Sequence, residues 1–376
     1  MTIIPRKKTL STIDPTRRLA LAGLAKRKQE RRSYPITKKD LLYISRCPFC
    51  QNSRLKHLTE VSLASGLLFF RTSICRNCTF VFRSVSPSFA WFRKCWKIIE
   101  TDKLEVFNPE TEKYKQRRYK EYLAIVQKYI RGGSALEIGS GYGTGTKLFQ
   151  KAGFHMEVVE SETNKARYVE TSLGIPVVDT DIVHFLNTTK KQYDLIVFSN
   201  CLEHLDHPVV VMQKLKHILK PGGLILVAVP ILWDYITWTD ALYLPHKVNF
   251  SQEHLLALAL RSGFEALEMK YVPYFFDNSR EIVFTLTPAT RPSSFAIKFT
   301  PRQRKELINA VDKLYRHNLP FSSDLLKKGT LQYQVPHIDQ FFQTVNLENN
   351  DLIQPRFQKG PIKIIADHIS KSYDNH

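Results

Sequence analysis

The stretch Ser134-Ala-Leu-Glu-Ile-Gly-Ser-Gly-Tyr-Gly-Thr-Gly145 constrains this chain more than any other. Ala135–Ile138 is a short apolar run carrying one carboxylate, Glu137. Glycines follow at every second position, and Lys147-Leu-Phe-Gln150 then reads as helix. The pattern predicts a strand, a glycine loop and a helix start. Gly139, Gly141 and Gly143 remove Cβ where the backbone turns tightly and approaches a ligand. The helix that follows aims its unpaired N–H groups at the same place. A dinucleotide site uses a similar loop, but it places Gly or Ala three residues after its second glycine. Thr144 stands there instead. Glu137, two residues before the first glycine, fits poorly beside a pyrophosphate and well beside a cation.

Strand and helix patterns alternate from 134 to 288. Apolar runs at 135–138, 155–159, 177–178, 194–198, 224–229, 264–272 and 281–287 read as strands, with helices at 146–151, 165–172, 209–219 and 252–262. Such alternation predicts an α/β, Rossmann-like doubly wound sheet of seven strands. A ligand then lies at the carboxyl ends of the first strands. Glu160, about 20 residues beyond the first glycine, has the spacing of a ribose-binding acid.

Three further segments extend the pattern. Asp194-Leu-Ile-Val-Phe-Ser-Asn-Cys-Leu-Glu-His204 is an apolar strand ending in a polar loop, Leu219-Lys-Pro-Gly-Gly-Leu-Ile225 is a turn into a strand, and Phe250–Phe264 is a helix with a glycine turn. With the glycine loop, these resemble class I S-adenosylmethionine (SAM) methyltransferases in order and spacing. The resemblance implies SAM as cofactor and transfer of its methyl group. It places the cofactor's amino-acid end at Glu137, Gly139, Gly141 and Gly143, its ribose at Glu160 and its adenine at Asp181 and Ile182, with Asp179 competing for that role. Asn200 completes the cofactor-binding set. His204 and His246 are the candidate bases for an acceptor hydroxyl or acidic carbon. Glu203 and His204 also resemble a divalent-metal pair of ubiquinone-pathway O-methyltransferases, where a further Glu stands at the position of Asn200. Cys201 reads as a small residue on the loop floor.

Cys47-Pro-Phe-Cys50 and Cys75-Arg-Asn-Cys78 form two Cys-x-x-Cys knuckles. Two such turns complete a tetrahedral thiolate shell for structural Zn2+, and four thiolates leave no open position for catalysis. The gap between the pairs is slightly longer than the usual ribbon spacing, and residues 61–72 can supply a hairpin within it. A four-cysteine module ahead of the glycine loop also occurs in some sugar C-methyltransferases.

Charge is uneven. Residues 1–46 carry 13 Lys/Arg against 3 Asp/Glu, whereas the region around the glycine loop is slightly acidic. The first segment reads as a basic arm with a possible helix over 17–32, suited to nucleic acid or an anionic membrane surface. The expected order is therefore a basic arm (1–46), a zinc-ribbon-like module (47–90), a helical linker (91–133), a SAM-binding domain (134–288) and an α+β extension (289–376). The linker is aromatic, with Phe89, Trp91, Phe92, Trp96 and Phe107. A second aromatic group, Trp233, Tyr235, Trp238 and Tyr243, precedes His246 and suits a pocket roof. No apolar run reaches membrane-spanning length, and no secretory signal is present, so a cytoplasmic location is expected. The acceptor expected is a small molecule, a sugar or a carrier-linked intermediate, methylated at O or C. RNA methylation and a non-catalytic interaction scaffold are the rival readings.

Overall fold

The computed structural model describes residues 29–33, 36–63, 67–92, 109–234, 245–273, 280–289, 299–318, 362–366 and 370–374. The chain divides into two compact units: residues 97–232 with 249–297, and residues 1–96 with 233–248 and 298–376.

The first of these carries the glycine loop. Its strands are β1 (Gly133–Ile138), β2 (Phe154–Val159), β3 (Val177–Asp179), β4 (Tyr193–Ser199), β5 (Leu219–Pro230), β6 (Phe264–Pro273) and β7 (Arg280–Pro288). They form one sheet in the order β6-β7-β5-β4-β1-β2-β3. β7 runs antiparallel to both β5 and β6, and the other pairs are parallel. Leu195–Phe198 and Leu224–Val229 are buried without interruption, as strands covered on both faces require. One core includes Tyr122, Val126, Phe149, Phe154, Val158 and Val197. The chain order reverses between β1 and β4, which makes the crevice beyond their carboxyl ends the switch point of the sheet.

Register near the start of β1 is pinned by one side chain. The Ser134 N–H and hydroxyl donate to Asp194 Oδ2 at 2.7 and 2.8 Å, and Lys220 Nζ reaches the same oxygen at 2.8 Å. Burial pushes the Asp194 carboxyl up, but Lys220 and Ser134 outweigh it and hold it below the usual value.

Several expected boundaries shift. Within the helical linker expected over 91–133, the helix ahead of β1 spans Pro109–Val126, with proline at the first position, where a missing N–H costs nothing. A helix at Ile182–Thr188 carries no strong sequence signal and is capped by Asp181. The expected helix 209–219 stops at Leu215 in a 3-10 turn, and β5 already begins at Leu219.

The second unit holds the cysteine module. Strands Leu55–Leu63 and Leu68–Cys75 form the expected hairpin, Val81–Pro87 pairs with the latter, and Leu41–Tyr43 pairs with Val81–Pro87, all antiparallel. Ile362–Ala366 runs parallel to Leu55–Leu63. Helix Pro301–Asn318 packs on that strand, with Lys56 Nζ 3.3 Å from Asp312. Part of the C-terminal extension is therefore built onto the cysteine module. Trp91 and Phe92 are buried in this unit, whereas Trp96 and Phe107 lie outside the described residues, as do Tyr235, Trp238 and Tyr243. The expected helix over 17–32 is corrected at its end: Gln29–Ser33 is a strand paired with Ser370–Asp374, and residues 1–28 fall outside the described residues. No helix among the described residues is long and apolar enough to cross a membrane.

Candidate functional site

The three loop glycines all adopt left-handed backbone, with φ of 76° at Gly139, 57° at Gly141 and 71° at Gly143. Their surroundings differ. A Cβ on Gly139 would come within 3.0 Å of Cys201 Sγ, and one on Gly143 within 2.6 Å of Leu173. At Gly141 nothing lies within 4 Å of that position. The loop is packed at both ends and open at its centre, which is the shape a ligand cradle needs.

Glu160 closes one side. It stands just past β2, 4% exposed. Its Oε2 accepts the Gly141 N–H at 2.7 Å and its Oε1 the Glu162 N–H at 2.9 Å. The sequence-predicted ribose acid and the open glycine are thus direct neighbours. Asp181 caps helix Ile182–Thr188, its Oδ1 accepting from the N–H groups of Val183 and His184 at 2.8 and 3.1 Å. Ile182, half-buried, is the first residue of that helix. Asp179 is bound to His184 Nδ1 at 2.6 Å. Burial pushes its carboxyl up, while His184 and the Asp181 and Thr180 N–H groups hold it down, below the usual value overall.

Glu137 is placed differently from the expectation. It is fully buried beneath the loop, with Tyr119 Oη donating to one oxygen at 2.6 Å and the Thr146 hydroxyl donating to the other. With no exposed surface of its own, this carboxylate braces the loop helix against helix Pro109–Val126. Burial is the main influence on it and pushes its pKa up to about 7, against the two hydroxyl donors. An acid raised on folding stabilises the fold below its unfolded value, near 4.5, and loses that contribution as pH rises through about 7. Glu137→Gln is expected to remove a fall of about 3 kcal/mol in unfolding free energy between those limits. Urea melts at pH 4.5 and 7.5 measure it, and equal slopes in both proteins would disprove it.

Sequence alone does not single out the residues around Glu137. Tyr119 is 5% exposed and meets Tyr122 edge to face with ring centroids 5.0 Å apart. A Cβ on Gly145 would fall 1.9 Å from its ring. Two turns earlier, Glu112 is buried, accepts from the Thr144 hydroxyl and pairs with Lys115 at 2.8 Å. The spacing 112, 115, 119, 122 is a helix face, a signal present in the sequence but silent about what the face touches.

At the end of β4, Asn200 also takes left-handed backbone, φ 51°, and its N–H donates to Ala228 O at 2.8 Å. Its Nδ2 donates to Ser199 Oγ at 3.1 Å. Glu203 is 2% exposed, and His204 Nε2 lies 4.0 Å from it with a side chain 31% exposed. His204 therefore reaches solvent beyond β4 with a carboxylate behind it. Burial, with Glu203 and Glu160 adding to it, pushes the Cys201 thiol well above its usual value, which fits packing against Gly139 and not nucleophilic chemistry. His246 belongs to the other unit.

In that unit the four cysteines converge, all sulfurs within 4.8 Å of one another. Cys47 and Cys78 sulfurs are 3.6 Å apart, as are those of Cys50 and Cys75. A tetrahedral shell at about 2.3 Å from zinc requires sulfur separations of about 3.8 Å. Both knuckles use the same backbone: Gln51 and Thr79, each directly after the second cysteine of its pair, have φ of 61° and 62°. Asn77 donates its N–H to Cys75 Sγ at 3.4 Å and its side chain to Cys50 Sγ at 3.8 Å. Hydrogen bonds among the sulfurs hold Cys50 low and Cys75 at about 7, while Cys47 and Cys78 are pushed up.

Residues 111–269 match the sequence model of a family described as a methyltransferase domain. The matched segment covers most of the seven-stranded sheet, which has the Rossmann-like class I methyltransferase fold. Among solved structures, the chain is similar to the 1,6-didemethyltoxoflavin-N1-methyltransferase of Burkholderia thailandensis, at 16% identity and a TM-score of 0.44 over 57% of this chain and 97% of that one. It is also similar to the N-methyltransferase NodS of Bradyrhizobium japonicum, at 15% identity and a TM-score of 0.42 over 52% of this chain and 99% of that one. The search of curated proteins returned no match.

Proposed function

We propose that the crevice over the glycine loop binds SAM and that the protein methylates a small-molecule, sugar or carrier-linked acceptor at oxygen or carbon. The observation that supports this most is the open centre of the loop at Gly141, joined by its own N–H to the buried Glu160 at the end of the next strand. A carboxylate so placed accepts hydrogen bonds from a ribose diol. Asp181 and Ile182, beyond β3, take the adenine side. Gly139, Gly141 and Gly143 let the backbone approach the amino-acid end, and Asn200 borders the same crevice from β4. When bound, the sulfonium cofactor supplies the activated methyl group. The protein's part is to orient the acceptor, exclude water and take a proton where the nucleophile carries one. His204, with Glu203 behind it, is the first candidate for that proton; His246 is the second.

Incubation with methyl-labelled SAM and a cell extract tests this, with mass analysis of the labelled product. A labelled small molecule or sugar is the expected outcome. Label in RNA, retained by the protein in a steeply salt-dependent way, would replace it with the RNA reading. SAM binding without any transfer would favour a scaffold.

Cys47, Cys50, Cys75 and Cys78 fit structural zinc by sulfur spacing and by the repeated knuckle backbone. Metal analysis of protein purified without chelator is expected to give about one zinc per chain, and Cys47→Ser should lose it and lower the melting temperature. Metal-free protein with unchanged stability would remove zinc from the account.

A further inference from the structure

We propose that the Glu112–Lys115 ion pair holds the amino-acid end of the cofactor and so distinguishes the full sulfonium nucleoside from shorter ones. This rests on the SAM reading of the crevice. Glu160 lies past β2 and Asp181 past β3, so an adenosine bound there covers the β2–β3 side of the sheet. Its 5′ branch then runs over β1 toward β4. Helix Pro109–Val126 lies on that side, packed against β5, β6, β7 and the loop helix.

From this helix Glu112 reaches Thr144, the first residue of the loop helix. Its side chain is 5% exposed and fixed, whereas its partner Lys115 is 26% exposed. Below them Tyr119 is locked to Glu137, so the helix face is held firmly against the loop. An α-amino acid is a zwitterion. A carboxylate and an ammonium 2.8 Å apart, beside the first residue of the loop helix, present the complementary pair of charges. Binding exchanges one ion pair for two. Glu112 keeps its Thr144 contact through one oxygen and accepts from the ligand ammonium through the other, and Lys115 turns to the ligand carboxylate. Each charge remains partnered, so the desolvation penalty of separating a buried pair is avoided.

The test uses two ligands that share the adenosine and its thioether sulfur. S-adenosylhomocysteine carries the amino acid and 5′-methylthioadenosine does not. Calorimetric titration of the full chain and of Glu112→Gln and Lys115→Met, with thermal melts as the folding control, reads the difference. Both variants are expected to bind S-adenosylhomocysteine about tenfold to a hundredfold more weakly and methylthioadenosine within about twofold of the unaltered protein. Equal losses for both ligands would show that the pair only supports the loop. Unchanged affinity for both would show that it does not touch the amino acid. If the unaltered protein binds neither ligand, the cofactor reading itself falls, and this inference with it.

Discussion

Gly141→Leu is expected to leave the protein folded and to abolish cofactor binding. Two observations separate those effects. The position has φ of 57°, so any L-residue there carries a backbone penalty of about 1–2 kcal/mol. That is small enough for a domain of this size to survive, with a fall in melting temperature of a few degrees. No neighbouring atom lies within 4 Å of the new Cβ, so nothing in the protein itself resists the side chain. The space it fills is the one the cofactor backbone contact requires, beside the Gly141 N–H held by Glu160. Affinity for S-adenosylhomocysteine should fall at least about a hundredfold, because a blocked cradle loses the whole docking geometry. A folded Gly141→Leu protein that binds this ligand normally would show that the loop is not its site.

Gly145→Ala, four residues on, is expected to do the reverse. One methyl group placed there falls 1.9 Å from the Tyr119 ring, and that ring cannot give way easily. It is buried, packed edge to face against Tyr122 and hydrogen-bonded to Glu137. Forcing it aside strains a packed core and disturbs a buried carboxylate together, at about 3 kcal/mol. Chemical denaturation measures this directly. The double variant Gly145→Ala/Tyr119→Ala should be less damaged than the sum of its parts, because the alanine at 119 removes the ring that clashes. Additive costs would mean that Tyr119 is not what excludes a side chain at 145.

These two glycines mark what a reader of the sequence can and cannot reach. The glycine loop, the alternation of strands and helices and the acid at Glu160 follow from local patterns, and each finds its place in the sheet. The spacing of Cys47, Cys50, Cys75 and Cys78 likewise carries its own geometry. Glu137 does not: from sequence it is an acid before a glycine loop, and only the fold brings Tyr119 and Thr146 to its two oxygens. The roles of Glu112 and Gly145 are hidden for the same reason, since a helix that precedes the sheet in sequence is folded back over the loop. The short helix after Asp181 escapes because seven residues are too few to display a period. Strand Ile362–Ala366 escapes because its partner lies some 300 residues earlier, at Thr59–Leu63.

That last pairing has a consequence for biosynthesis. The ribosome releases the cysteine hairpin long before it makes the segment that flanks Leu55–Leu63. Throughout that interval the hairpin's outer backbone stands unpaired, a template for any passing extended peptide. Truncation before residue 362 is expected to leave that edge open and to raise the tendency to self-associate, which light scattering measures.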